Sequence, residues 1–148
     1  MRRHRKWIYS DGGRAAAGYK GEAGDCVTRA IAIATEIPYQ EVYDGLNALA
    51  KSAPKYASQK RSRGSLARNG VPKPTILQYL DQRGWTWIPT MQIGSGCRVH
   101  LRADELPAGR IICRLSRHLC AVIDGVIYDN NDPRRDGTRC VYGYWHKS

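Results

Sequence analysis

The segment from Leu119 to Tyr128 reads LCAVIDGVIY, two apolar runs joined by Asp124-Gly125. A two-residue Asp-Gly link between such runs is the strongest short hairpin signal a sequence carries. The tight turn needs positive φ at its central residues, and its twist matches that of the flanking strands. Other strand-like stretches gather around it: WTWIP after Gly84, Val99 to Leu101, Ile111 to Leu115 after the turn LPAG, and CVYGYW from Cys140 to Trp145. The chain before Gly84 has a different period. From Cys26, CVTRAIAIAT places Val27, Ala30, Ile31 and Ala34 at helical spacing, with Asp25 or Gly24 as its cap. Pro38 opens a second helix whose apolar face is Tyr39, Val42, Tyr43, Leu46, Leu49 and Ala50. A third helix fits Thr75 to Arg83, with Pro74 before it and Gly84 as its stop. Helices first and an antiparallel sheet afterwards is the α+β pattern, with N-terminal helices packed on a C-terminal antiparallel sheet.

At 148 residues and 42% hydrophobic composition the chain has room for one core and one domain. Its charge is less ordinary: 24 Lys+Arg against 13 Asp+Glu give +11, which points to anionic partners and not to any fold. The basic residues cluster. Arg2, Arg3, Arg5 and Lys6 lie in an arm over residues 1–20. A loop at about 51–73 holds Lys51, Lys55, Lys60, Arg61, Arg63, Arg68 and Lys73, and no acid occurs between Asp44 and Asp81. The domain proper is expected over 21–148. The start, MRRHRKWIYSDGG, lacks the apolar run of a secretory signal, and no stretch approaches the ~20 apolar residues of a membrane span. Five cysteines cannot all pair within one chain, and no CxxC occurs. The expectation is a cytoplasmic protein with reduced thiols and no membrane partner.

Two short segments bear chemistry. Cys26, in GDCVTRA, sits where a glycine-containing loop runs into a helix. There the free backbone N–H groups and helix dipole favour a thiolate, and the same amides can hold an oxyanion. His118, in RLSRHLCAVIDGVIYDNND, opens the first hairpin strand, six residues before Asp124; Asp129 lies four residues after Gly125. With Ile123 opposite Val126, Leu119 is expected opposite Tyr128 or a near neighbour, and His118 then lies beside Asp129 or Asn130. An acid or amide next to an imidazole fixes its tautomer and orientation, as the third member of a Cys-His triad must.

GDCVTRAIAIAT followed by RHLCAVIDGVIYDNND resembles the papain-like cysteine peptidase superfamily, and more narrowly small phage and bacterial proteins related to the bacteriocin-processing, C39-like peptidases. The resemblance runs from about Gly21 to Trp145. It implies a central helix capped by the nucleophile, and an antiparallel sheet carrying the histidine and its partner. Cys26 would be the nucleophile, His118 the general base and Asp129 the orienting residue, with Asn130 second choice and Asp132 within reach of a shifted register. The substrate would be a peptide or protein, cleaved at a peptide, amide or isopeptide bond without a cofactor. The family usually carries a glutamine shortly before the cysteine. GYKGEAGDC has none, so Tyr19, Lys20, Asp25 or a backbone amide would have to help at the oxyanion.

Competing constellations are weaker. Cys97 and His100 have CxxH spacing, but structural zinc takes paired ligands and only this pair qualifies, so no metal is expected. Cys113 and Cys120 read as small apolar residues of the sheet. Lys60, Arg61, Arg63 and Arg68 are candidate anion-binding residues. With the arm they form the alternative reading, a basic binding module for nucleic acid or an acidic protein.

Overall fold

The computed structural model describes residues 6–20, 24–52, 70–92 and 94–147. Among these residues the architecture is mixed α+β: three helices and a six-stranded sheet, with a separate two-stranded ladder. Helix α1, Cys26–Thr35, buries Val27, Ala30, Ile31 and Ala34, the positions its period marked, and ends where Glu36 turns left-handed at φ 61°. Helix α2, Tyr39–Ser52, follows Pro38 and buries Tyr39, Val42 and Leu46. Helix α3, Lys73–Asp81, starts two residues earlier than expected, because Pro74 stands inside its first turn, where its missing N–H costs nothing.

The strands are β1 (Trp7–Tyr9), β2 (Trp85–Pro89), β3 (Val99–His100), β4 (Arg110–Leu115), β5 (His118–Ile123), β6 (Val126–Asp129), β7 (Cys140–Val141) and β8 (Gly143–Lys147). The large sheet has the order β1-β6-β5-β4-β8-β2. Asp124 and Gly125 both take positive φ, 49° and 79°, as a type I′ turn demands, and Ile123 pairs with Val126. Leu119 does not pair with Tyr128. Ala121 does, which sets Cys120 opposite Asp129 and leaves His118 on the diagonal.

Two further expectations need correcting. The sheet is mixed and not purely antiparallel, because Trp7–Tyr9 pairs in parallel with Ile127–Asp129. These three residues lie in the stretch read as a basic arm; flanking charge masked a strand too short to show alternation. The stretch CVYGYW is two strands. Tyr142 donates to the Arg114 carbonyl (2.8 Å) as the chain leaves β3 for β4 and β2.

Two apolar layers sandwich the sheet. Ile112, Leu119, Ala121 and Trp145 pack with the buried faces of α1, α2 and α3. Cys113, Leu115, Cys120, Val122 and Ile127 pack with Leu101 and Val141 on the other face. Helix α1 lies across β5 on the first of these faces, over Leu119 and Ala121. Among the described residues no helix is long and apolar enough to cross a membrane.

Cys97 and Cys140 are joined in a disulfide (Cα–Cα 5.8 Å), which corrects the expectation that all thiols are free. Cys140 lies within the short β3–β7 ladder, opposite His100, and Cys97 lies two residues before β3; their spacing in sequence does not reveal that register. Ellman titration of the denatured, unreduced protein should count the three free thiols Cys26, Cys113 and Cys120. Closing 43 residues stabilises the fold by about 4 kcal/mol in the chain-entropy account, so Cys97→Ser should lower the free energy of chemical unfolding by about that amount. A count of five thiols would refute the bridge.

Candidate active site

Cys26 is the first residue of α1 and half-buried. His118, its side chain 20% exposed, opens β5 immediately beneath it. The imidazole is held from one side by Asp129, whose Oδ2 lies 2.5 Å from Nε2. Nδ1 is then the nitrogen left for the thiol, and Cys26 and His118 interact strongly enough to shift each other's titration. Burial pushes the Cys26 thiol up, but the His118 imidazole, the Leu119 N–H and the Arg29 guanidinium together bring it below the ordinary thiol value. Burial likewise opposes charge on His118, yet Asp129 and Cys26 outweigh it and raise the imidazole to about 9. A lowered thiol and a raised imidazole shift the pair toward its thiolate–imidazolium form.

Asp129, 4% exposed, is fixed at every acceptor. Its Oδ1 takes the Asn130 N–H (2.7 Å) and lies 3.8 Å from Arg29 Nη2, while its carbonyl accepts from Ser10 N–H (3.0 Å) and Trp7 Nε1 (3.2 Å). Of the three candidates for the third position, only Asp129 reaches the imidazole. Asn130 turns its Oδ1 to Arg29 (3.4 Å) and Asn131, and Asp132 is paired with Arg134 (2.6 Å).

The expected oxyanion helpers are occupied elsewhere. The Tyr19 hydroxyl donates to Gln40 Oε1 (2.8 Å), and its ring packs on Tyr39 and Tyr43. Asp25 is the N-cap residue of α1 but makes no side-chain cap hydrogen bond. Its carboxylate, 1% exposed, is taken up by Arg29, by the Tyr39 hydroxyl and by Arg14 (3.3 Å). With Tyr19 and Asp25 engaged, a backbone candidate is the N–H of Cys26 itself, which lies in the first turn of the helix, where N–H groups have no intrahelical acceptor.

Arg29 is the residue that sequence reasoning missed. It is 7% exposed and joins Asp25 on its own helix to Asp129 and Asn130 beyond the hairpin. A signal existed: an arginine inside an otherwise apolar helical stripe, four residues after an acid. Gly12 is required beside it, since at φ 70° a Cβ would come within 3.0 Å of the Arg29 backbone.

Cys97 is disulfide-bonded and His100 Nδ1 lies 3.2 Å from Glu105, so the CxxH pair is committed to other partners. Among the described residues no group of three or more His, Cys, Asp or Glu side chains is arranged to hold a metal ion. Lys60, Arg61, Arg63 and Arg68 lie outside the described residues, as do Arg2, Arg3, Arg5 and Lys55. No protein-family model matches the chain, and no curated protein or solved structure matches it significantly.

Because the imidazolium persists to about 9 and the thiol ionises below its ordinary value, alkylation of Cys26 by iodoacetamide should rise at a lower pH than in the denatured chain. His118→Ala should move that rise upward, since burial then acts on the thiol unopposed by the imidazole. The measurement is site-resolved mass spectrometry across pH; coincident profiles for native and denatured Cys26 would refute the ion pair.

Proposed function

We propose that this protein is a papain-like cysteine hydrolase that cleaves peptide, amide or isopeptide bonds through Cys26, His118 and Asp129. The observation that carries the reading is the imidazole of His118, held on Nε2 by a buried carboxylate and turned toward a thiol at a helix N-terminus. The order of the three residues along the chain and their placement on a helix start and two neighbouring strands support it.

The chemistry follows from the charges. The Cys26 thiolate attacks the substrate carbonyl carbon, and the C=O electron pair moves onto oxygen, which the Cys26 N–H can receive. As the tetrahedral intermediate collapses, the C–N bond breaks and the departing amine takes the proton from His118. A thioester is left on Cys26. Neutral His118 then removes a proton from water, the hydroxide adds to the thioester carbonyl, and the carboxylic acid leaves as the thiolate is restored. Throughout, Asp129 keeps the ring in one orientation and stabilises its charged form.

Hydrolysis of a fluorogenic peptide-amide library should fall as pH rises through about 9, where His118 loses the proton that the leaving amine needs. Cys26→Ala and His118→Ala should each reduce it by on the order of 10⁴-fold or more, and Asp129→Ala by less, because the thiol and base survive. Wild type and Cys26→Ala with equal activity would end the hydrolase reading.

A further inference from the structure

A row of successive strand partners runs outward from the thiol. Leu119 on β5, whose N–H faces Cys26, pairs with Arg114 on β4; Arg114 pairs with Gly143 on β8, and Gly143 with Pro89 on β2. Adjacent strands lie about 5 Å apart, so Arg114 is one strand from the reacting centre. Leu119 belongs to the layer under the helices, and its partner Arg114 points to the same face. The next place in the row carries no side chain, and the Trp87 ring lies directly over it: a Cβ on Gly143 would collide with that ring. Over Trp87, 4.7 Å from its ring centre, stands the ammonium of Lys73, the first residue of α3.

Lys73 and Arg114 are both half-buried, and they repel each other: burial first, and Arg114 second, hold the lysine below its ordinary value. Among the described residues neither forms an ion pair with an acid, whereas Arg29, Arg102, Arg110 and Arg134 each do. Two like charges brought together on an aromatic floor, one strand from a nucleophile, lack the anion that would relieve them.

Resting on the hydrolase reading above, we propose that Arg114 and Lys73 form a substrate subsite for a carboxylate side chain, so that the enzyme selects peptides bearing Glu or Asp close to the scissile bond. The carboxylate lies between guanidinium and ammonium, and the aliphatic part of the residue rests on Trp87. Arg114 offers the bidentate fork and Lys73 the second charge.

The test uses the intact protein and a matched series of tripeptidyl chloromethyl ketones, in which one of the three positions holds Glu or Gln. Each ketone alkylates Cys26 with loss of chloride, and inactivation is compared with the rate of the neutral, side-chain-free reagent iodoacetamide. At one position the Glu member should react about five- to tenfold faster than the Gln member, as two partly desolvated charge pairs allow. Arg114→Gln and Lys73→Gln should each reduce that ratio, and together bring it to one, with the iodoacetamide rate unchanged. Lys147→Gln, at an exposed strand end, should leave the ratio as it is. Arg114→Glu should favour a Lys-bearing ketone, and Lys73→Gln, at the helix start, covers the case in which Arg114 variants fail to fold. Equal rates for Glu and Gln at all three positions overturn the subsite, as does a ratio that Lys147→Gln lowers equally. Cys26 inert to iodoacetamide and to every ketone overturns the hydrolase reading and the subsite with it.

Discussion

The buried charge set around Arg29 is the constraint on which the rest of the site depends. Asp25 and Asp129 are 1% and 4% exposed and Arg29 is 7% exposed, so all three have left water. A buried charge costs several kcal/mol unless partners replace its hydration, and removing one member of such a set typically costs about 3–5 kcal/mol. The set is therefore assembled whole or not at all. Its members come from four places in the chain: Arg14 from the N-terminal segment, Asp25 and Arg29 from α1, Tyr39 from α2 and Asp129 from the end of β6. Satisfying Asp25 alone draws three of these segments to one point. Since Arg29 stands one turn beyond Cys26 on the same helix face, orienting its guanidinium also fixes the rotation of α1, and with it the direction of the thiol.

Asp129 transmits that constraint to the imidazole. Its carbonyl is engaged by β1 and the residue after it, one carboxylate oxygen faces Asn130 N–H and Arg29, and the other holds His118. A side chain bonded this completely has no alternative rotamer of similar energy, which is what an orienting residue needs. The type I′ turn contributes the register. A slip of one residue would turn Asp129 to the opposite face of the sheet and break the bond to His118. The N-terminal strand thus helps to hold Asp129 in place rather than being an appendage, and Trp7 reaches the Asp129 carbonyl with its indole N–H.

Local signals were legible in the sequence and long-range pairings were not. The three helices of the described residues stand within about two residues of where apolar spacing and proline placed them, because each such signal is complete within about ten residues. The Asp-Gly turn fixed β5 against β6, and with it the neighbourhood of His118 and Asp129, though the count of pairs from the turn was off by two at Leu119. Trp7–Tyr9 escaped because three residues cannot show a period, and its partner lies some 120 positions away. CVYGYW read as one strand because periodicity does not register the point at which a chain changes sheets. The Cys97–Cys140 bridge escaped for a related reason, since pairing depends on the β3–β7 register and not on spacing. Asp25 looked like a helix cap because that is the commonest use of an acid there; only the folded chain shows that two arginines and a tyrosine claim it. Tyr19 looked available to an oxyanion, and its hydroxyl is instead bonded to α2.

The five cysteines show how far environment governs one functional group. Cys113 and Cys120 are cross-strand partners in the deep layer, 0% and 1% exposed, and Cys120 is driven well above the ordinary thiol value by its hydrogen bond to Cys113 and by burial. Such thiols are small apolar side chains and little more. Cys97 and Cys140 are joined in a disulfide and have no thiol to ionise. Cys26 is half-buried, and burial pushes its thiol up as it does that of Cys120. What separates the two is the neighbour each one faces: Cys120 faces a second thiol and the negative charge of Asp129, whereas Cys26 faces an imidazole held by that same Asp129. One carboxylate thus acts in opposite directions. It disfavours a thiolate at Cys120 directly, and through the imidazolium of His118 it favours one at Cys26.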